Sequence, residues 1–299
     1  MPRPTPAVEL TAGDYSATIV PTGAGLARLT WRGRHVVVGH EPDELPLGYL
    51  GKTLVPWPNR ITDGTYEYAG ETHEVPINEH PTNAALHGLA CWSLWEVVDR
   101  SAGHVTLELE LAPRYGYPFH LLSRVTYRLT ADGGLDVEIA SRNVGGRTAP
   151  YGSSSHPYLT CDLRPVDQCV LHAPATTVLE VDDRLRPVAT SPAADVGLDL
   201  PGTAPLGDQQ VDHAYTGLPA EGWTVSLTDP ETGLQVRLHA DAPWLQIYSG
   251  EQVGRRGVAV EPMTCPPDAF NSGVDLVELA PREQHTLTFR IDAAAPVAP

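Results

Sequence analysis

Arg60, His87, His156, Asp212 and Glu261 lie far apart along 299 residues, yet each falls where a β-patterned run stops or turns. A carboxylate and an imidazole brought together can exchange protons with a bound hydroxyl, while a guanidinium can fork onto a ligand's other hydroxyls. The sharpest local sequence is Gly257-Val-Ala-Val-Glu261-Pro-Met-Thr-Cys-Pro-Pro. With a period of two, Val258 and Val260 share one face and Ala259 and Glu261 the other. Pro262 cannot extend an internal ladder, so it places Glu261 at the end of its strand, at a sheet mouth suited to general-base work.

The other four motifs are shorter. In Pro150-Tyr-Gly-Ser-Ser-Ser-His156-Pro-Tyr158 the period puts His156 on one face with Ser154 and Tyr158, an imidazole flanked by hydroxyls and oriented for proton transfer. Pro56-Trp-Pro-Asn-Arg60 approaches a strand end stiffly, ahead of an expected hairpin turn at Thr62-Asp63-Gly64-Thr65. His87 closes a loop from Asn83 and precedes Trp92 and Trp95 at the onset of the next strand, and Asp212 ends an irregular stretch. Singly, each has a plainer explanation: a solvated strand-end glutamate, a surface arginine pairing with a carboxylate, a buried histidine bonded to backbone, a turn-capping aspartate.

The elements that must hold these groups are strands. Ala17–Val20, Arg28–Trp31, His35–Val38, Val105–Leu111, Val125–Leu129 and Leu135–Ile139 alternate or are β-branched, and so do Thr224–Thr228, Leu234–His239, Trp244–Tyr248 and Thr286–Ile291. Asp63-Gly64, Ala69-Gly70, Asp132-Gly-Gly134 and Gly145-Gly146 punctuate them. Almost nothing reads as helix, so the fold class is all-β. The 29 prolines and 27 glycines are dispersed without a linker or fixed repeat, which favours one domain over 1–299. Residues 182–215 read as a long irregular excursion over the sheet surface, and the Ala/Pro-rich end from about Asp292 as frayed.

Composition narrows the function. No apolar run approaches a membrane span and the first residues lack a secretory pattern, so a soluble cytoplasmic protein is expected. The four cysteines lack Cys-x-x-Cys spacing, which points to reduced thiols rather than a metal site or disulfide framework. A formal charge of -17 with no basic cluster argues against nucleic acid and anionic membranes and favours a neutral small molecule. Imine or phosphate chemistry at a lysine would rest on Lys52 alone. No histidine pair has helical metal spacing, and Gly152-Ser-Ser-Ser-His is not a nucleophile elbow. A glycosidase pair would need Asp212 or Asp268 opposite Glu261, at a separation the sequence does not supply. Trp57 and Trp244 are candidates to stack on a sugar ring, with a core role the better expectation for each.

Taken in order, Asn59-Arg60, Asn83 to His87-Gly88, His156-Pro-Tyr158, Asp212-His213 and Val260-Glu261-Pro-Met with Asn271 resemble the signatures of the aldose 1-epimerase (galactose mutarotase) family, over nearly the whole chain. The resemblance implies a large, mostly antiparallel β-supersandwich that interconverts sugar anomers without cofactor or metal. By the same resemblance Glu261 is the general base, His156 the general acid, and His87, Arg60 and Asp212 bind the sugar. It further implies an ionised Glu261 facing a protonated His156, an arrangement favoured if the carboxylate raises the imidazole pKa. Leu89 and Ser153 to Ser155 depart from the family pattern, which touches the wall of the sugar site and leaves the preferred aldose open. A hexose-6-phosphate 1-epimerase, with Arg255 and Arg256 as phosphate ligands, and a carbohydrate-binding sandwich without turnover are the alternatives. The oligomeric state is not legible.

Overall fold

The computed structural model describes residues 6–296. Its alternating runs are strands, because one face of each can be buried while main-chain groups pair sideways. Nine strands form the widest sheet, in the spatial order Glu96–Ser101, His104–Leu111, Leu121–Thr130, Gly134–Asn143, Gln284–Ala294, Gln235–Ala240, Trp223–Thr228, Val170–His172 and Pro201–Pro205. An eight-stranded sheet runs Pro187–Pro192, Thr177–Val181, Asp212–Thr216, Trp244–Tyr248, Val258–Met263, Ser154–Ser155 and Thr53–Leu54, with Tyr158–Leu159 also paired to Val258–Met263. The N-terminal strands Val8–Ala12, Tyr15–Val20, Gly25–Trp31 and Arg34–His35 make a four-stranded antiparallel sheet. The α-helix Ala269–Ser272 is the only one among the described residues.

Residues from these three sheets meet in one apolar cluster, including Leu29 from the four-stranded, Ile139 from the widest and Ile247 from the eight-stranded sheet. Burying such a side chain stabilises the fold by roughly 1.5–3 kcal/mol, so the core dictates which face of each strand turns away from it. On Val258–Met263 the valines 258 and 260 join this cluster, and Ala259 joins a separate one with Tyr158 on the other face. On the neighbouring Trp244–Tyr248, Leu245 and Ile247 turn to the main core. Gln246 thereby faces the same side as Glu261, its direct cross-strand partner.

Several expectations are corrected. Glu261 is not at a strand end: it is fourth of six residues in Val258–Met263, which runs through Pro262. The proline is tolerated because of where its nitrogen points. The Val260 N–H donates to Pro157 O and the Thr264 N–H to Ser153 O, so Pro262 faces the gap between Ser154–Ser155 and Tyr158–Leu159, where the ladder is already interrupted. Asp63-Gly64 forms a turn with both residues at positive φ, but the strands it joins pair elsewhere, Arg60–Thr62 with Ala84–Leu86 and Thr65–Tyr68 with Glu71–Glu74. Of His35–Val38, only His35 lies in a regular strand, Arg34–His35. Residues 182–215 are not an excursion without structure, since Pro187–Pro192, Pro201–Pro205 and Asp212–Thr216 all pair into sheets. The first two are edge strands exposed along both faces, so they carry no alternation to read. Nor is the chain frayed at Asp292, which lies within Gln284–Ala294 and accepts hydrogen bonds from Arg237 and His239. Residues 297–299 lie outside the described range.

Candidate active site

Glu261 and His156 meet although 105 positions separate them. Glu261 Oε1 stands 3.4 Å from His156 Nε2, with both side chains almost wholly buried. The imidazole is set in place by its own backbone. The His156 N–H donates to Lys52 O at 3.0 Å and its carbonyl accepts from the Gly51 N–H at 2.9 Å, in the break before Tyr158–Leu159. Its ring stacks on Tyr158 at 5.0 Å and meets His87 edge-on at 5.1 Å. The Tyr158 hydroxyl donates to Gly48 O, which fixes the stacking partner in turn.

His87 follows the strand Ala84–Leu86 rather than a loop, at a left-handed φ of 64°. Its N–H donates to Asn59 O at 2.8 Å, and its Nδ1 accepts from the Asn59 N–H at 3.2 Å, which assigns the neutral ring's proton to Nε2. The close approach depends on Gly88, at φ 75°, where an added Cβ would sit 2.2 Å from Val55 O. Gly88→Ala should therefore cost roughly 1–3 kcal/mol of stability in urea unfolding, and an unchanged midpoint and slope would refute this reading of the turn.

Arg60 opens the strand Arg60–Thr62 and is clamped by Glu79, Nε to Oε2 at 2.6 Å and Nη2 to Oε1 at 2.8 Å. Asp212 opens Asp212–Thr216 and accepts from Gln246 Nε2 at 2.7 Å. The structure thus brings Arg60, His87, His156, Asp212 and Glu261 to one cavity of about 280 Å³. Three buried polar atoms of its lining residues have no partner: Glu261 Oε2, Gln246 Oε1 and His156 Nδ1. Unmet hydrogen-bonding capacity of this kind suits a ligand rich in hydroxyls.

Sequence reading missed Gln246, Glu79 and Tyr49. Gln246 carried a faint signal, a polar residue between Trp244 and Tyr248 on one face of an alternating run. Tyr49 meets the His87 ring at 4.6 Å from a segment without strand periodicity, and nothing local marks Glu79. Leu89 and Ser153 to Ser155 do not line the cavity, so their departures from the family pattern lie behind its wall. Trp57 and Trp244 are buried in apolar clusters, as the core expectation held. Lys52 is also buried away from the cavity, its ammonium donating to Thr22 O at 2.7 Å and its pKa pulled down to about 8 by burial. Asp268 binds Thr62 and Asn271 instead of facing Glu261 across a ligand. All four cysteines are free and buried.

Burial decides the protonation of the central pair. It pulls His156 down to about 3 and, with the nearby Asp212 charge, pushes Glu261 well above the ordinary carboxylate range, against the opposing pull of Arg60. Burial thus works against the expected ion pair, because taking both charges out of water is costly and the groups stand 3.4 Å apart without a direct hydrogen bond. His87 is likewise held neutral, first by burial and then by His156 and Arg60. Burial also raises Asp212, although Arg60 and Gln246 counteract it.

Antiparallel sheets around a common core, with this cavity open on one of them, define a galactose mutarotase-like β-sandwich protein. Solved structures share the fold. An aldose epimerase homologue from C. elegans has a TM-score of 0.87, covering 97% of this chain and 99% of its own at 20% identity. Galactose 1-epimerase from Lactobacillus acidophilus has a TM-score of 0.79, covering 97% and 95% at 18% identity. The aldose 1-epimerase family model matches residues 6–292, and the chain belongs to that family. Among its relatives, the uncharacterized protein YihR of Escherichia coli K12 is 47% identical over 284 residues, 95% of this chain and 92% of YihR. The aldose 1-epimerase of the same organism is 26% identical over 228 residues, covering 69% of this chain and 64% of that enzyme.

Proposed function

We propose that this protein is an aldose 1-epimerase acting on a free aldose. The observation that carries the proposal is the approach of Glu261 and His156 to 3.4 Å in a buried, polar cavity with unmet hydrogen-bonding atoms. Glu261 takes the proton of the C1 hydroxyl while His156 gives one to the ring oxygen, the ring C–O bond breaks, and an open aldehyde forms. Rotation about C1–C2 and return of both protons close the ring as the other anomer. Burial opposes the charged pair, whereas sugar hydroxyls that donate to the carboxylate, together with the positive charge of Arg60, favour the ionised Glu261 and protonated His156 that the step requires. Arg60, His87, Asp212 and Gln246 orient the sugar. Only protons change hands, so the chemistry calls for no electron carrier. Four buried, unpaired thiols suit a reducing compartment, the cytoplasm, as its place of work.

The phosphosugar alternative is disfavoured by the positions of its proposed ligands. Arg255 is committed to Asp167 and Glu251, and neither it nor Arg256 lines the cavity. A binding protein without turnover has no use for a buried acid–base pair.

Polarimetry of freshly dissolved α-glucose and α-galactose is the test: the protein should speed the decay of rotation beyond buffer, and no acceleration with any aldose would sink the proposal. Titration carries a second expectation. Burial holds the His156 imidazole neutral down to about 3, so its ring resonances followed by NMR should show no protonation step at 6.5, the ordinary histidine value. A half-point there would contradict the buried, neutral imidazole.

A further inference from the structure

One carboxylate of the cavity takes no part in proton exchange. Glu79 lines the wall in an extended segment bridged to Ala84 and presents both oxygens to the Arg60 fork, at 2.6 and 2.8 Å. The Thr82 hydroxyl donates to the same carboxylate. Outside that clamp Arg60 keeps both N–H groups of Nη1 and one of Nη2, and Nη1 reaches Asn59 Oδ1 at 3.2 Å.

A guanidinium at a ligand cavity is ordinarily a receptor for phosphate or carboxylate, through paired N–H groups along its edges and through its charge. Here a carboxylate of the protein already fills the Nε/Nη2 edge and matches the charge. Burial works against charge on both partners, yet their mutual hydrogen bonds hold Arg60 ionised and Glu79 below the usual carboxylate range. Asp212 adds a further acid to the same cavity, and the whole chain carries a formal charge of -17. An incoming anion therefore meets a cation that is already matched and an acidic surround.

We infer that Glu79 is a specificity-determining residue: by matching the charge of Arg60 and filling its Nε/Nη2 edge it leaves the remaining N–H groups for neutral hydroxyls and turns away aldoses bearing a phosphate or carboxylate. The inference rests on the reading of the cavity as an aldose site and adds the charge class of its substrate. Glu79 acts through Arg60, so it is a positioning residue and not a catalytic one.

The experiment compares kcat/KM for α-glucose and α-glucose 6-phosphate in the wild type, Glu79→Gln and Glu79→Asp. Glutamine keeps the shape and removes the charge, so the ratio of phosphorylated to free sugar should rise at least about tenfold, mainly through KM. Aspartate keeps the charge and should keep the wild-type ratio. A ratio unmoved in Glu79→Gln overturns the inference. Should that variant not fold, inhibition of the wild type carries the test: 1,5-anhydroglucitol should bind at least about tenfold tighter than its 6-phosphate, and equal or weaker binding overturns the inference. Wild type that accelerates neither sugar overturns the aldose reading and this inference with it, whereas acceleration with an unmoved ratio overturns the inference alone.

Discussion

Glu261→Gln should lower kcat at least about a hundredfold, within the roughly 10²- to 10⁴-fold contribution of a positioned acid or base, and should make the protein more stable. Both effects follow from one position. The carboxyl is buried without a partner for Oε2, with a pKa pushed well above its ordinary value by burial and by Asp212. A group whose folded pKa is raised lends stability while it is protonated, below about 4.5, and that contribution is lost as pH rises through the folded value. Glutamine keeps the shape and never ionises. Its advantage should therefore grow as pH rises above 4.5, reaching about 1–3 kcal/mol, the usual cost of desolvating a polar group. Thermal unfolding at several pH values reads the second effect and polarimetry the first. A variant with full activity, or one less stable than wild type at pH 8, would remove Glu261 from the centre of the mechanism.

His156→Gln should cause a loss of similar size with the opposite dependence of stability on pH. The folded protein holds this imidazole neutral down to about 3, while the unfolded chain takes up its proton near 6.5. Wild-type stability is therefore lost as pH falls from 6.5 toward 3, and the variant, which binds no proton there, should gain on that side. If the two residues work as one unit, the double variant should be scarcely slower than either single one. Multiplied losses would mean that Glu261 and His156 act in separate steps.

The strands were legible because most of them bury one face. Val105–Leu111 and Thr286–Ile291 alternate, and both lie within strands of the widest sheet. Pro187–Pro192 and Pro201–Pro205 were not legible, since an edge strand exposed along both faces has no hydrophobic contrast to leave in its sequence. The same limit applies to the cavity. Arg60, His87, His156, Asp212 and Glu261 stood out as polar residues beside apolar runs, and all five line it. Gln246 and Glu79 did not, because their importance comes from cross-strand register and from a partner found only in three dimensions. The effect of burial on the central pair was beyond reach for a related reason. Sequence suggests attraction between an acid and a base, but the depth of burial that opposes it is a property of the assembled sheets.

Pro262 has a use beyond being tolerated. Were its strand to slide by one position against its neighbours, Val260 would enter the cavity and the carboxylate would be driven into oil. The ringed nitrogen would at the same time leave its gap and confront a carbonyl in search of a donor. A residue that seemed to end the strand is thus its index mark, penalising misalignment of the one element on which an error of a single residue would erase the chemistry.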